Sequence, residues 1–217
     1  MNFTVAVNVL DVPIQHVYVA GWTGRNKAAV DHHIAELAAI GIDPPSQVPL
    51  YYRVSNSLLS QDSIIEVLGN GTSGEVEPLV VKHQGELYLG LASDHTDREL
   101  EAHSVAASKQ ACLKPAAKEL WKLDSVLDHL DSLILRCQIK EDGQWISYQE
   151  GALSSIRPLA ELVQASGLDE NSAMLCGTLG AIGGVRAASD YKMELEDPVL
   201  NRKLLLNYSV VVLPVIN

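Results

Sequence analysis

The chain has 217 residues, 47% apolar and 5% aromatic, with a formal net charge of −11. That length predicts a single domain over residues 1–217 with an aliphatic core of Val, Leu, Ile and Ala; the acidic balance, with no dense Lys/Arg run, argues against a nucleic-acid binder. No apolar run is long enough to span a bilayer, and "MNFTVAVNVL" lacks the basic and apolar regions of a signal peptide, so the expectation is a cytoplasmic protein with no membrane partner.

"FTVAVNVL" and "HVYVAGW" read as β-branched strands with "DVPIQ" as the turn between them. "NKAAVDHHIAELAAIG" has helical apolar spacing and ends at Gly41 and the pair Pro44–Pro45. "QVPLYYRV" and "DSIIEVLG" read as strands, and "EVEPLVV" and "ELYLGLASDH" as two strands of a hairpin. "DRELEAHSVAASKQAC" reads as a helix with Thr96 as its N-cap. "AAKELWKLDSVLDHLDSLILRCQIK" mixes helix and strand signals, "SSIRPLAELVQASG" is a helix ending at Gly167, and "KLLLNYSVVVLPVI" is a final strand. The order lacks βαβ alternation and predicts a strand-rich α+β fold. Cys112, Cys137 and Cys176 are not spaced as a zinc clip or redox pair and are expected to be reduced, buried thiols. Trp121, Trp145 and Tyr148 are expected in the core or at an interface rather than as stacking platforms.

The chemistry concentrates in "SGEVEPLVVKHQGELYLGLASDH". With Gln84 and Gly85 as a two-residue turn, His83 pairs with Glu86 and Glu75 lies opposite Asp94. Alternation puts Glu77 on the face of Glu75. Like charges facing each other across a sheet are destabilising, so three converging carboxylates predict either a hard cation with oxygen ligands, Mg²⁺ or Mn²⁺ with Ca²⁺ as a substitute in crystals, or a solvated sheet edge.

In "GRNKAAVDHHIAEL", His33 and Glu36 are neighbours on a helix face. They form either a general base oriented by a carboxylate or an ordinary surface pair. "GNGTSG" fits G-x-G-x-x-G, but a strand follows it where a dinucleotide site needs a helix. "CGTLGAIGGV" lacks a Walker lysine and reads as an anion-facing loop or a turn. No G-x-S-x-G elbow supports a hydrolase triad.

Six segments in order resemble the fumarylacetoacetate hydrolase family, and more narrowly a short bacterial branch of the DUF2848 kind. "GRNKAAVDHHIAEL" is similar to its "GRNYxxHxxE" pattern, "PLYYRVSNSLL" to its P-x-x-F-x-K-P strand and "EVEPLVV" to its metal-binding E-x-E-L-x-V. "SDHTDRELE" resembles N-D-x-T-x-R-D, "SKQACLKP" carries Lys109 where the family has a lysine, and "CGTLGAIGGV" is similar to G-T-P-x-G-V. Arg53 replaces the family's Lys, Leu179 replaces its Pro, "KPAAK" lacks its P-x-G-P glycine, Glu77 and Asp94 stand closer together than usual, and the loop after Asn26 is longer, leaving His32 and His33 both as candidates for the base. The resemblance implies a mixed β-roll of the family's C-terminal-domain type, a homodimer, and Mg²⁺ or Mn²⁺ on Glu75, Glu77 and Asp94. It implies hydrolytic cleavage of a C–C bond in a 2-oxo or 1,3-diketo acid through a metal-bound enolate, with decarboxylation, hydration and isomerisation open on the same site. His33, Glu36 and Lys109 are then the catalytic residues, and Arg25, Asn26, Arg53 and Thr178 bind a small carboxylate substrate. A binding protein without catalysis is the reading from another class.

Overall fold

The computed structural model describes residues 1–39 and 44–216, and leaves out the side chains of His33, Glu36, Leu37 and Ala39. Strands β1 (Asn2–Val5), β2 (Asn8–Asp11) and β3 (His16–Gly21) lead into helix α1 (Lys27–Ala39). β4 (Leu50–Val54), β5 (Leu59–Ser60), β6 (Ile64–Leu68) and β7 (Thr72–Ser73) precede the long pair β8 (Val76–His83) and β9 (Glu86–Ser93). β10 (Thr96–Asp97), two short helices, α2 (Arg98–Glu101) and α3 (Val105–Gln110), β11 (Lys114–Pro115) and β12 (Glu119–Lys122) follow. The chain closes with β13 (Ile134–Glu141), β14 (Gln144–Ala152), α4 (Leu159–Ser166), β15 (Ser172–Leu175), β16 (Asp190–Asp197) and β17 (Arg202–Leu213).

An eight-stranded sheet in the order β2-β1-β12-β9-β8-β15-β3-β4 packs against a five-stranded one, β14-β13-β16-β17-β6. Parallel pairs (β3 with β15, β6 with β17) sit among antiparallel ones, so the α+β reading and its mixed sheets hold. Val76, Val80 and Leu89 meet Leu135, Cys137, Tyr191 and Leu206 between the sheets, while Leu79, Val81, Val17 and Leu175 fill a second core on the other face of the larger sheet. β8 is therefore covered on both faces, which is why "VEPLVV" is apolar at successive positions rather than alternating. Trp121 and Tyr148 are core residues; Trp145 is half-buried under the ammonium of Lys192.

Gln84 and Gly85 both have positive φ, +53° and +76°, the backbone of a tight primed turn. His83 pairs with Glu86 as the spacing predicts. Two expectations are corrected. "FTVAVNVL" is two antiparallel strands, because Ala6 takes φ +54° and turns the chain. The stretch after Asp94 is two short helices whose caps are Asp97, accepting from Leu100 N–H, and Ser104, accepting from Ala107 N–H. Thr96 is instead paired with Ser73 in a two-stranded ladder. Gly41 lies outside the described residues, while α4 ends at Gly167, whose φ of +61° fits a left-handed cap.

Candidate metal centre

At the end of the β8–β9 ladder away from the turn, Val76 pairs with Ser93, and Asp94 N–H donates to Glu75 C=O at 3.0 Å, one step further. Glu75 and Asp94 thus stand opposite each other. Oxygens of Glu75, Glu77 and Asp94 all lie within 4.8 Å of one another. Glu77 and Asp94 are 2% and 0% exposed, and the Glu75 side chain 17%. The solvated-edge alternative is excluded by that burial.

Three cations surround the carboxylates. Lys109 Nζ donates to Asp94 Oδ2, Lys114 Nζ lies 3.2 Å from Asp94 Oδ1, and Arg98 Nη2 lies 3.2 Å from Glu75 Oε1. Lys114 is aimed at the His95 carbonyl, to which it donates at 2.6 Å, so the short distance to Asp94 Oδ1 is an ion pair without a hydrogen bond and that oxygen has no donor. Burial pushes the Glu77 carboxyl well above its usual range, the charge of Asp94 adds to it, and the Gly177 N–H, donating at 2.7 Å, opposes it. Burial raises Glu75 too, against the pull of Arg98. Burial would also raise Asp94, but Lys109 and Lys114 outweigh it and hold it below the carboxylate range. Burial disfavours the Lys109 ammonium, and the carboxylates outweigh that and hold it protonated.

This donor set fits a divalent cation. All three ligands are hard oxygens, suited to Mg²⁺ or Mn²⁺. Asp94 Oδ1 is buried, accepts no hydrogen bond and is met only by the Lys114 ammonium at 3.2 Å, which leaves it a lone pair to offer a metal ion. The three carboxylates are balanced by three cationic side chains, so an added divalent ion leaves the site with excess positive charge, suited to an anionic substrate.

Gln149, fully buried, braces the strand. Its Oε1 accepts from Val76 N–H at 2.9 Å, and its Nε2 donates to Thr178 Oγ1 at 2.8 Å and Leu179 C=O at 2.6 Å. Thr178 Oγ1 donates to Val76 C=O at 2.8 Å, so this expected substrate contact also ties the 176–180 loop to β8. His95 turns away from the carboxylates, with Nδ1 3.1 Å from Tyr208 Oη and Nε2 2.9 Å from Thr72 Oγ1; burial and the charge of Lys114 push it down to about 3.

The other expected substrate residues lie elsewhere. Arg25 makes a two-pronged pair with Asp131, both bonds 2.7 Å, and donates to Ile156 C=O at 2.8 Å. Asn26 caps α1, its Oδ1 accepting from Ala29 N–H at 3.2 Å. Arg53 stacks 4.4 Å over the Tyr18 ring, on the sheet face opposite Glu77. These three are not brought to the carboxylates. His33 and Glu36 fall in α1, with side chains outside the described residues. The sequence reading missed Lys114, Arg98 and Gln149. The signal for the first two was available: buried carboxylates need counter-charges, and few cations follow Asp94 closely in the chain.

Fold and site together define a protein built like the fumarylacetoacetate hydrolase family, with a three-carboxylate centre at the end of its central hairpin. The chain belongs to the DUF2848 family, described as a protein of unknown function, whose model matches residues 20–208. The fold is similar to that of 2-keto-3-deoxy-D-arabinonate dehydratase complexed with magnesium and 2,5-dioxopentanoate (TM-score 0.66, 15% identity, 94% of this chain and 75% of that one). It is also similar to yeast ynq8, a fumarylacetoacetate hydrolase family protein (0.62, 13%, 91% and 92%). A third similar structure is 5-carboxymethyl-2-hydroxymuconate delta-isomerase from Mycobacterium smegmatis (0.64, 14%, 93% and 78%). No curated protein matches the sequence.

Proposed function

We propose that the protein is a metal-dependent enzyme that hydrolyses a C–C bond in a 2-oxo or 1,3-diketo acid. One observation carries the reading: Glu75, Glu77 and Asp94 converge in a buried site where an Asp94 oxygen has no donor. The fold likeness to a dehydratase bound to magnesium and a dioxo acid supports the substrate class. A divalent ion held there, Mg²⁺ or Mn²⁺, supplies Lewis-acid stabilisation of the charge that develops on the substrate carbonyl. Lys109 and Thr178 orient the substrate carboxylate. His33, three residues before Glu36 on α1, takes a proton from water.

The dehydratase and isomerase likenesses keep hydration and isomerisation as the second reading on the same residues. The test is a screen of purified protein with Mg²⁺ or Mn²⁺ against acylpyruvates, oxaloacetate and 2-oxo-enoic acids, following enol absorbance and identifying products. Metal-dependent cleavage of an acylpyruvate supports the hydrolase; a hydrated or isomerised product selects the second reading, and no turnover of any class defeats both.

The proposal includes a cytoplasmic homodimer of single-domain chains. All three cysteines are free and buried, as reduced thiols require. Ile64, Leu68, Leu205, Val211 and Leu213 are exposed on the outer side of β6 and β17, and a two-fold partner would cover such a strip. Sedimentation giving the mass of one chain at micromolar concentration rules the dimer out.

A further inference from the structure

Tyr51 and Tyr52 are neighbours in β4 and face opposite ways. Tyr52 pairs with Val19, Val19 with Leu175 and Leu175 with Leu79. Paired residues share a sheet face, and Leu79 stands two residues after Glu77 on β8, so Tyr52 lies on the face of Glu77. Its ring leans toward Gly21, two residues after Val19, where an added Cβ would come within 3.0 Å of Tyr52 Cε2. That direction is toward the carboxylates, because β3 runs parallel to β15, which leads into Gly177, and Gly177 N–H donates to Glu77. The ammonium of Lys109 lies 5.8 Å from the Tyr52 ring centroid, within the ~6 Å reach of a cation–π contact.

The three cations of the centre differ in what else holds them. Arg98 also donates to Ser73 Oγ at 2.7 Å and to Glu101 at 2.8 Å. Lys114 donates to the His95 carbonyl at 2.6 Å. Lys109 has Asp94 as its one hydrogen-bond acceptor among the described residues, and its side chain is 8% exposed, so water offers little in its place. When Asp94 lends its oxygens to a divalent ion, Lys109 loses that acceptor and meets like charge. Arg98 and Lys114 keep their second partners. For Lys109 the second partner is the negative face of the Tyr52 ring, and burial strengthens such a contact.

We propose that Tyr52 is a positioning residue of the metal centre: its ring holds the Lys109 ammonium when Asp94 turns to a metal ion, and so keeps that ammonium in place for the substrate carboxylate. This rests on the proposed function, which supplies both the ion and the anion. Calorimetric titration with Mg²⁺, without substrate, tests it. Tyr52→Leu and Tyr52→Met remove the ring and should weaken Mg²⁺ binding by about 3–30-fold, as expected of a buried cation–π contact. Tyr52→Phe keeps the ring face and loses only the hydroxyl, so its Mg²⁺ affinity should stay within about twofold of the unaltered protein. Lys109→Met keeps all three carboxylate ligands. In that background, loss of the ring should change Mg²⁺ binding by less than about twofold, because the residue through which Tyr52 acts is gone. Metal-free melting curves show which variants are folded.

Equal losses in Tyr52→Phe and Tyr52→Leu put the effect in the hydroxyl and overturn the role. Equal losses with and without Lys109 reduce Tyr52 to packing and overturn it too, as does unweakened binding once the ring is gone. In each of these cases Mg²⁺ still binds the unaltered protein, and the metal reading stands. Failure of the unaltered protein to bind Mg²⁺ or Mn²⁺ overturns the metal reading and the role of Tyr52 together. If the doubled variants do not fold, the difference between Tyr52→Phe and Tyr52→Met decides alone.

Discussion

Two places in this molecule gather three carboxylates around basic side chains. On the outer face of the five-stranded sheet, Arg136 donates to Glu150 at 2.9 Å, Glu194 at 2.8 Å and Glu196, and Lys203 reaches Glu194 at 3.0 Å. At the end of the hairpin, Glu75, Glu77 and Asp94 meet Arg98, Lys109 and Lys114. The outer carboxylates are 23–50% exposed, so water can serve whatever Arg136 leaves over. The inner ones are nearly closed off, and Asp94 Oδ1 has no donor. Composition alone does not separate a solvated ion network from a ligand site; burial combined with an unmet acceptor does.

The largest expected difference is in metal binding. Glu77→Gln should abolish the thermal stabilisation given by Mg²⁺, with affinity falling by more than the 10–100-fold typical of residues that merely support a ligand. Its metal-free form should be no less stable than the unaltered protein, since a carboxylate already disfavoured by burial is removed. Glu194→Gln should leave the Mg²⁺ response intact. A Mg²⁺ response retained in the first variant or lost in the second breaks the contrast.

Next comes the removal of a cation. Lys114→Met leaves Asp94 short of a buried partner and should cost about 3–5 kcal/mol in urea unfolding without metal. Lys203→Met, on the exposed face, should cost less than about 1 kcal/mol. Similar small costs for both would mean that Asp94 is as well hydrated as Glu194.

The third difference is in pH. His95 sits behind the inner site and is pushed down to about 3 from an ordinary 6.5. Below pH 6.5 the unfolded chain takes up a proton that the folded chain refuses, so this contribution is complete above 6.5 and is lost as pH falls toward 3. Its size is at most roughly 5 kcal/mol. His95→Gln should flatten the stability profile across that window; parallel profiles for the two proteins would place His95 in contact with water.

The convergence of the inner carboxylates was legible because the three are local. Glu75, Glu77 and Asp94 follow from one turn and one alternation rule, and the observed pairing of His83 with Glu86 is the one the spacing implies. β4, β6, α4 and β17 were legible for the same reason: each carries its period and its stop within its own residues. The partners of Arg25 and Arg53 were not. Asp131 lies 106 residues from Arg25, and which sheet face Arg53 takes depends on the pairing of β3 with β4. The helix after Asp94 was misread because Thr96 and Asp97 are both good caps, and a ladder to Ser73 claims the first.

The turn at Gln84–Gly85 has a reach out of proportion to its size. It lies at the opposite end of two eight-residue strands from the carboxylates, roughly 25 Å away at a strand's rise per residue. Yet it sets which residue of β9 faces which residue of β8. Adding or removing one residue there would rotate Asp94 onto the other face of the sheet, while every side chain in the centre stayed the same. For the lineage that carries this hairpin, a length change in that small loop is therefore as consequential as the loss of a ligand, and in a synthetic graft the loop must travel with the carboxylates it aligns.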